Sequence, residues 1–261
     1  MYKKTRVFSI LLLIMLISFS SAATPNGADL TPVSTGTAPA DTAGNNSAIA
    51  GNVSEIGVHG FSTTQAWQGY YGNVSGTIQL SDSSNNVLYN WTQANPKGEV
   101  YASTNSSITW VDIQCFNFSA SQSFASESGN GGTTNQNGLN LTGLETQYGV
   151  NISVDVDGVD ETFTLSGAGT HDLFYTTNQQ FSEGECKNTR VYSSTGNGVS
   201  NQFEEALLYE PTSKSVVFAS LLENDTLGFN AKSHDFEMLV LENGHGVDVS
   251  TTTYYFFVEL E

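Results

Sequence analysis

An all-β chain, with antiparallel sheets packed as a sandwich, is predicted by three features of this sequence. Short runs of β-branched and aromatic residues recur along it. Clusters of Asn, Asp, Ser and Gly cut those runs apart. No sustained helical period follows the first 23 residues.

The elements follow in chain order. Residues 1–23, "MYKKTRVFSILLLIMLISFSSAA", carry a basic start (Lys3, Lys4, Arg6), an apolar run over Val7 to Ile17 and small residues at Ser20 to Ala23. This is the pattern of a secretory signal cleaved after Ala22 or Ala23, and the apolar run is short of the roughly 20 residues a membrane span needs. No second apolar span is expected after it. The ending "YYFFVELE" carries charges and shows no anchor. Residues 24–50 are rich in Thr, Ala, Gly and Pro with few large apolar side chains, so a flexible stalk is predicted there. A β-sandwich domain is predicted over 51–261, with a weak stretch, Ser126 to Gly138, as a loop or a division between two subdomains.

Within that domain, "TTQAWQGYYG" reads as a strand. Alternation puts Trp67, Gly69 and Tyr71 on the more apolar face, predicted as core, and leaves Tyr70 as the exposed ring. "TIQL", "SDSSNN" and "VLYNW" form a hairpin pattern. "NISVDVDGVDETFTLSG" reads as a second hairpin turning at Asp157-Gly158. "FEEALLYEPTSKSVVFASLLE" gives two strands around Pro211 to Lys214, and "DFEMLVLE" and "TTTYYFFVELE" a final pair around "NGHG".

Glycosylation signals N-x-[ST] stand at Asn45, Asn52, Asn73, Asn90, Asn105, Asn117, Asn140, Asn151 and Asn224. An outward Asn turns its strand neighbours inward. The register therefore predicts Val74, Ile78, Leu80, Val87, Tyr89, Trp91, Phe116, Phe118, Ile152, Val154 and Val156 as core. The two cysteines, Cys115 and Cys186, read as one disulfide in an exported chain.

Beyond the signal, five basic residues face 26 acids, a formal charge of −21. Nucleic acid and anionic lipid both need a basic surface, so neither is an expected partner. Calcium suits such a chain, and Asp155, Asp157, Asp160 and Glu161 in "DVDGVDE" are the candidate oxygen ligands, although their spacing is not that of an EF-hand. No other cofactor is expected. The candidate ligand-binding residues are Tyr70 and Trp110, whose rings could stack on a sugar, and His245 in the glycine-flanked "ENGHG". No His pair with metal spacing, nucleophile elbow or phosphate-binding glycine loop occurs, and no catalytic residue is assigned.

The runs "GNVSEIGVHGF", "TTQAWQGYYGNVSGTIQL", "FEEALLYEP", "VVFASLLEND", "ENGHG" and "YYFFVEL" resemble secreted archaeal cell-surface proteins of no established activity, over most of the chain after about Ala50. The resemblance implies an archaeal cell-surface setting and transfers no catalytic or binding residue. The function expected is that of a secreted, non-catalytic cell-surface glycoprotein with a structural, assembly or adhesive role, its partners being copies of itself or other surface proteins. Strand donation by "AIAGNV" is one route to assembly. A carbohydrate-binding module taking polysaccharide is the alternative. A secreted hydrolase with a catalytic group assembled in space is the third.

Overall fold

The structure, a computed structural model, describes residues 24–93, 95–119, 139–150, 155–191, 198–243 and 251–260. The signal segment, Asn151, Ile152, Val154, His245 and the 126–138 stretch lie outside them. Among the described residues the strands are β1 (Asn26–Gly27), β2 (Trp67–Gly72), β3 (Gly76–Ser81), β4 (Val87–Gln93), β5 (Gly98–Ser103), β6 (Gln114–Cys115), β7 (Phe174–Thr176), β8 (Gln179–Phe181), β9 (Asn188–Arg190), β10 (Glu204–Glu210), β11 (Ser215–Leu221), β12 (Thr226–Leu227), β13 (Ser233–His234), β14 (Phe236–Leu241) and β15 (Tyr255–Leu260). The helices among the described residues are short: α1 (Leu141–Gln147), α2 (Val159–Thr162) and a 3-10 turn at Trp110–Asp112.

The predicted all-β, antiparallel architecture is the one observed. A central sheet runs β1-β15-β5-β11-β10, and β6 and β9 share the outer edge of β10. Both faces of this sheet are covered. Val100, Ala102, Leu207, Tyr209 and Phe218 point to one apolar cluster, closed by the β2–β14 pair, α1 and Phe163. The alternate residues Tyr101, Ala206, Leu208, Val217 and Phe257 point to a second, closed by Trp110, Ile113, Phe174, Phe181 and the cystine. Burial on both sides is why "ALLY" and "VVFA" are continuous apolar runs and do not alternate with polar residues. The disulfide Cys115–Cys186 closes a separation of 71 residues and ties the edge strand β6 to the segment entering β9. In the chain-entropy model such a loop is worth about 4 kcal/mol.

Several expectations are corrected. The start of the 24–50 stretch belongs to the sheet: Pro25 is buried, β1 pairs with Val258 and Phe257, and the Ala28 N–H donates to the Phe256 carbonyl at 2.9 Å. Residues 29–65 are exposed and outside any strand or helix, so regular structure resumes at Trp67 and not at 51. The Asp157-Gly158 hairpin turn is not formed. Gly158 is instead the extended residue before α2, because Val159 and Phe163 bury one face of a helical turn against the first cluster. Val156, predicted inward, is exposed. Strands β14 and β15 do not pair with each other: β14 joins β2 in the covering layer, and β15 lies between β1 and β5. Sequence adjacency suggested the pair, but Met238, Val240 and Leu241 are buried in the first cluster as part of the covering layer.

Tyr70 and Tyr71 exchange their expected roles. Trp67 packs beside Phe163 at 6.0 Å and Phe218 at 6.4 Å, and its Nε1 donates to the Asp157 carbonyl at 2.6 Å. Tyr70, the expected surface ring, lies edge-on to Phe256 at 5.0 Å, and burial pushes its phenol up. Tyr71, the expected core ring, is 45% exposed against Phe229 and His234. Trp67 sits at the strand's end and reaches the core beside α2, so its side does not set the side of Tyr71.

Candidate functional site

The hairpin β3–β4 is built by local chemistry. Its turn is organised by Asp82, whose carboxylate accepts the N–H groups of Ser84 (2.8 Å) and Asn86 (2.9 Å) and the Asn86 side-chain amide (2.8 Å). Asn85 takes the left-handed conformation, which Asn tolerates. Its base is anchored to the body. Val74 donates its N–H to Asp235 Oδ2 at 2.7 Å, and Gly76 lies under Leu260, where a Cβ would collide. The two strands pair with each other only, among the described residues.

Register sets the faces. Ile78 stands opposite Trp91 and Leu80 opposite Tyr89, before a slip at Leu80/Ser81 brings Ser81 opposite Val87. Ile78, Leu80, Tyr89 and Trp91 therefore share one face, as the sequence pattern requires. They are not core. Tyr89 is 59% exposed and Trp91 50%, their ring centroids are 4.8 Å apart, and Ile78, Leu80, Val87 and Leu88 are exposed too. The opposite face carries Thr77, Gln79, Asn90 and Thr92, so the glycosylation signal at Asn90 points away from the aromatic face. An apolar face left open on a hairpin marks an interaction surface more often than a packing defect.

The remaining candidates fall elsewhere. Trp110 is 7% exposed, between Tyr101 at 5.0 Å and Phe257 at 5.1 Å, so it is a core ring and not a stacking platform. Tyr70 is likewise a packing residue. Asn45, Asn52, Asn73, Asn90 and Asn224 are exposed. Asn105, Asn117 and Asn140 are half-buried. Asn105 spends its amide nitrogen on Ser215 Oγ at 3.1 Å, the atom a glycan would need, and Asn140 caps α1 through Oδ1 to the Gly143 N–H at 2.8 Å.

Of the four acidic candidates, two come together and two do not. Asp160 and Glu161 meet Glu145 of α1, with one oxygen from each within 4.8 Å of the others. Asp157 turns to Thr64, whose hydroxyl it accepts, and neither it nor Asp155 joins the group. Burial, followed by the charges of Asp160 and Glu161, pushes Glu145 up. Glu145 was not legible as a ligand, because only the packing of α1 on α2 brings it within reach.

Other acids are structural. Glu259 accepts the Thr177 N–H at 3.0 Å and holds the β7–β8 turn, where Thr177 is left-handed, beside the buried Tyr101 hydroxyl. Buried His171 accepts the Cys186 N–H through Nε2 at 3.1 Å. Its Nδ1 therefore donates to the Asp172 carbonyl at 2.7 Å, and burial lowers its pKa.

The chain matches no protein-family model, no curated protein and no solved structure.

Proposed function

We propose that this protein is a secreted, non-catalytic cell-surface glycoprotein whose β3–β4 hairpin makes the contact that assembles it with its neighbours. The observation that carries this reading is the uncovered face of Ile78, Leu80, Tyr89 and Trp91 on an anchored arm. A disulfide supports an oxidising compartment, and no helix among the described residues is long and apolar enough to cross a membrane. The exposed Asn signals and the signal-like first 23 residues support export and glycosylation. On this reading Asn90 keeps any glycan on the far side of the arm, leaving the apolar face free.

The neighbouring exposed rings of Tyr89 and Trp91 favour a second reading, polysaccharide binding, in which the two rings stack on sugars.

The test is negative-stain microscopy and solution mass of the native protein from the cell exterior, alongside a Tyr89→Ser, Trp91→Ser variant. Filaments or a lattice lost in the variant establish assembly through the hairpin. A monomer that binds glycans, and loses them in the variant, establishes the second reading. A wild type that does neither, or a variant that behaves as wild type, removes the hairpin as the functional surface.

A further inference from the structure

We propose that Glu145, Asp160 and Glu161 form a calcium site that clamps α1 to α2 beneath the entry to β2. Two oxygens bound to one calcium at about 2.4 Å each lie no more than about 4.8 Å apart. The three carboxylates meet that limit. The second, independent observation is the state of Glu145 itself. Its side chain is fully buried, Oε1 accepts the Val159 N–H at 3.0 Å, and Oε2 meets no N–H or hydroxyl donor, the Asp160 carboxyl being the other hydrogen-bonding neighbour of this side chain. A buried carboxylate oxygen without a donor is costly, and a cation held with Asp160 and Glu161 satisfies it.

Gly158 supports the same reading. A Cβ at this position would collide with Glu161 Oε2 and stand 3.1 Å from Glu145 Oε1, so a side chain there would fill the cradle. All three donors are carboxylate oxygens, with no imidazole or thiolate, which selects a hard cation. Glu145 is buried while Asp160 and Glu161 are exposed, so water can complete the six to eight ligands calcium takes, in the irregular geometry it tolerates.

The position gives the ion a consequence. Asp157, three residues before Asp160, holds the Trp67 indole through its carbonyl and Thr64 through its carboxylate. The ion would fasten the loop that receives the exposed 29–65 segment where it enters the fold. The site is remote in sequence from the β3–β4 arm, and its readouts are independent of assembly or sugar binding.

The experiment uses the full exported protein stripped with EDTA. Terbium is titrated with excitation of tryptophan, Trp67 being the antenna, and then displaced by calcium. Melting is followed with EDTA and with millimolar calcium. The expected wild-type results are sensitised terbium emission that calcium removes and a Tm several degrees higher in calcium. The surface variant Asp160→Asn, Glu161→Gln should fold, melt in EDTA no lower than wild type, and lose at least about tenfold in terbium and calcium affinity, since affinity follows ligand charge. Glu145→Gln should lose the calcium-dependent rise in Tm. Absence of both terbium emission and the calcium effect in wild type, or their persistence in the surface variant, overturns the site.

Discussion

Two hairpins of this protein have turns built alike and end in opposite environments. In β10–β11 the turn is held by Glu210, whose carboxylate accepts the N–H groups of Thr212 at 2.7 Å and Ser213 at 2.9 Å. In β3–β4 the turn is held by Asp82 in the same manner. Each pairs six residues or nearly so in antiparallel register. Yet β10 is buried at every residue, whereas β3 and β4 are mostly exposed, aromatic side chains included. The difference teaches that turn chemistry and strand pairing make a hairpin, while a separate event, the arrival of a second layer, makes it core. The β2–β14 pair and the Trp110 turn cover the two faces of β10–β11. Among the described residues, nothing of this chain does so for the aromatic face of β3–β4.

The sharpest break of the comparison is truncation on the buried side. Phe218 is buried among Trp67, Phe163 and Tyr254, and Phe218→Ala should cost about 3–5 kcal/mol by urea denaturation. A loss under about 1 kcal/mol would mean that this face is not tightly packed. Next comes the cystine beside the buried hairpin, where Cys115 pairs with Leu208. The Cys115→Ser, Cys186→Ser variant should lose about 2–4 kcal/mol. Equal midpoints for the reduced and oxidised protein would contradict this.

A third prediction concerns charge on β10. Glu205 is fully buried. Its Oε2 accepts the Leu239 N–H at 2.8 Å, Oε1 has no partner, and burial pushes its carboxyl well up. The folded state then keeps a proton that the unfolded chain has lost above pH 4.5, so stability falls as pH rises from there toward the folded value. Glu237, buried with an unpartnered Oε2, acts in the same direction. Neutral His171 opposes them, its contribution being lost as pH falls through about 6.5. Glu205→Gln, which mimics the protonated acid, should raise stability at neutral pH by about 1–3 kcal/mol and flatten its decline between pH 4.5 and 7. Melting curves across that range check it, and an unchanged slope would remove Glu205 as the cause.

The smallest effect on folding is expected on the exposed arm. Trp91→Ser should change stability by less than about 0.5 kcal/mol, because no layer is lost with it. A loss comparable to Phe218→Ala would show that the arm is packed after all.

Much of this was legible in the residues. Antiparallel β structure, both hairpins of the comparison, the pairing of Cys115 with Cys186 and the sharing of one face by Ile78, Leu80, Tyr89 and Trp91 all follow from rules that act over a few residues or from a count of two thiols. The faces of Tyr70 and Tyr71 did not follow, because Trp67 reaches the core from a strand end. The helical turn at Val159–Thr162 did not, because Asp-Gly favours a hairpin until burial of Val159 and Phe163 outweighs it.

By itself, then, the sequence determined which side chains of β3 and β4 stand together on one face, since alternation is a property of the backbone. Only the tertiary structure decided which of those faces is covered. It left Trp91 in solvent, sealed Trp110 inside, placed β1 on the edge of β15, and brought Glu145 to Asp160 and Glu161. Cover is a long-range property. It depends on which distant segment buries more apolar surface by arriving, and the alternating pattern of β3 and β4 does not record whether one does.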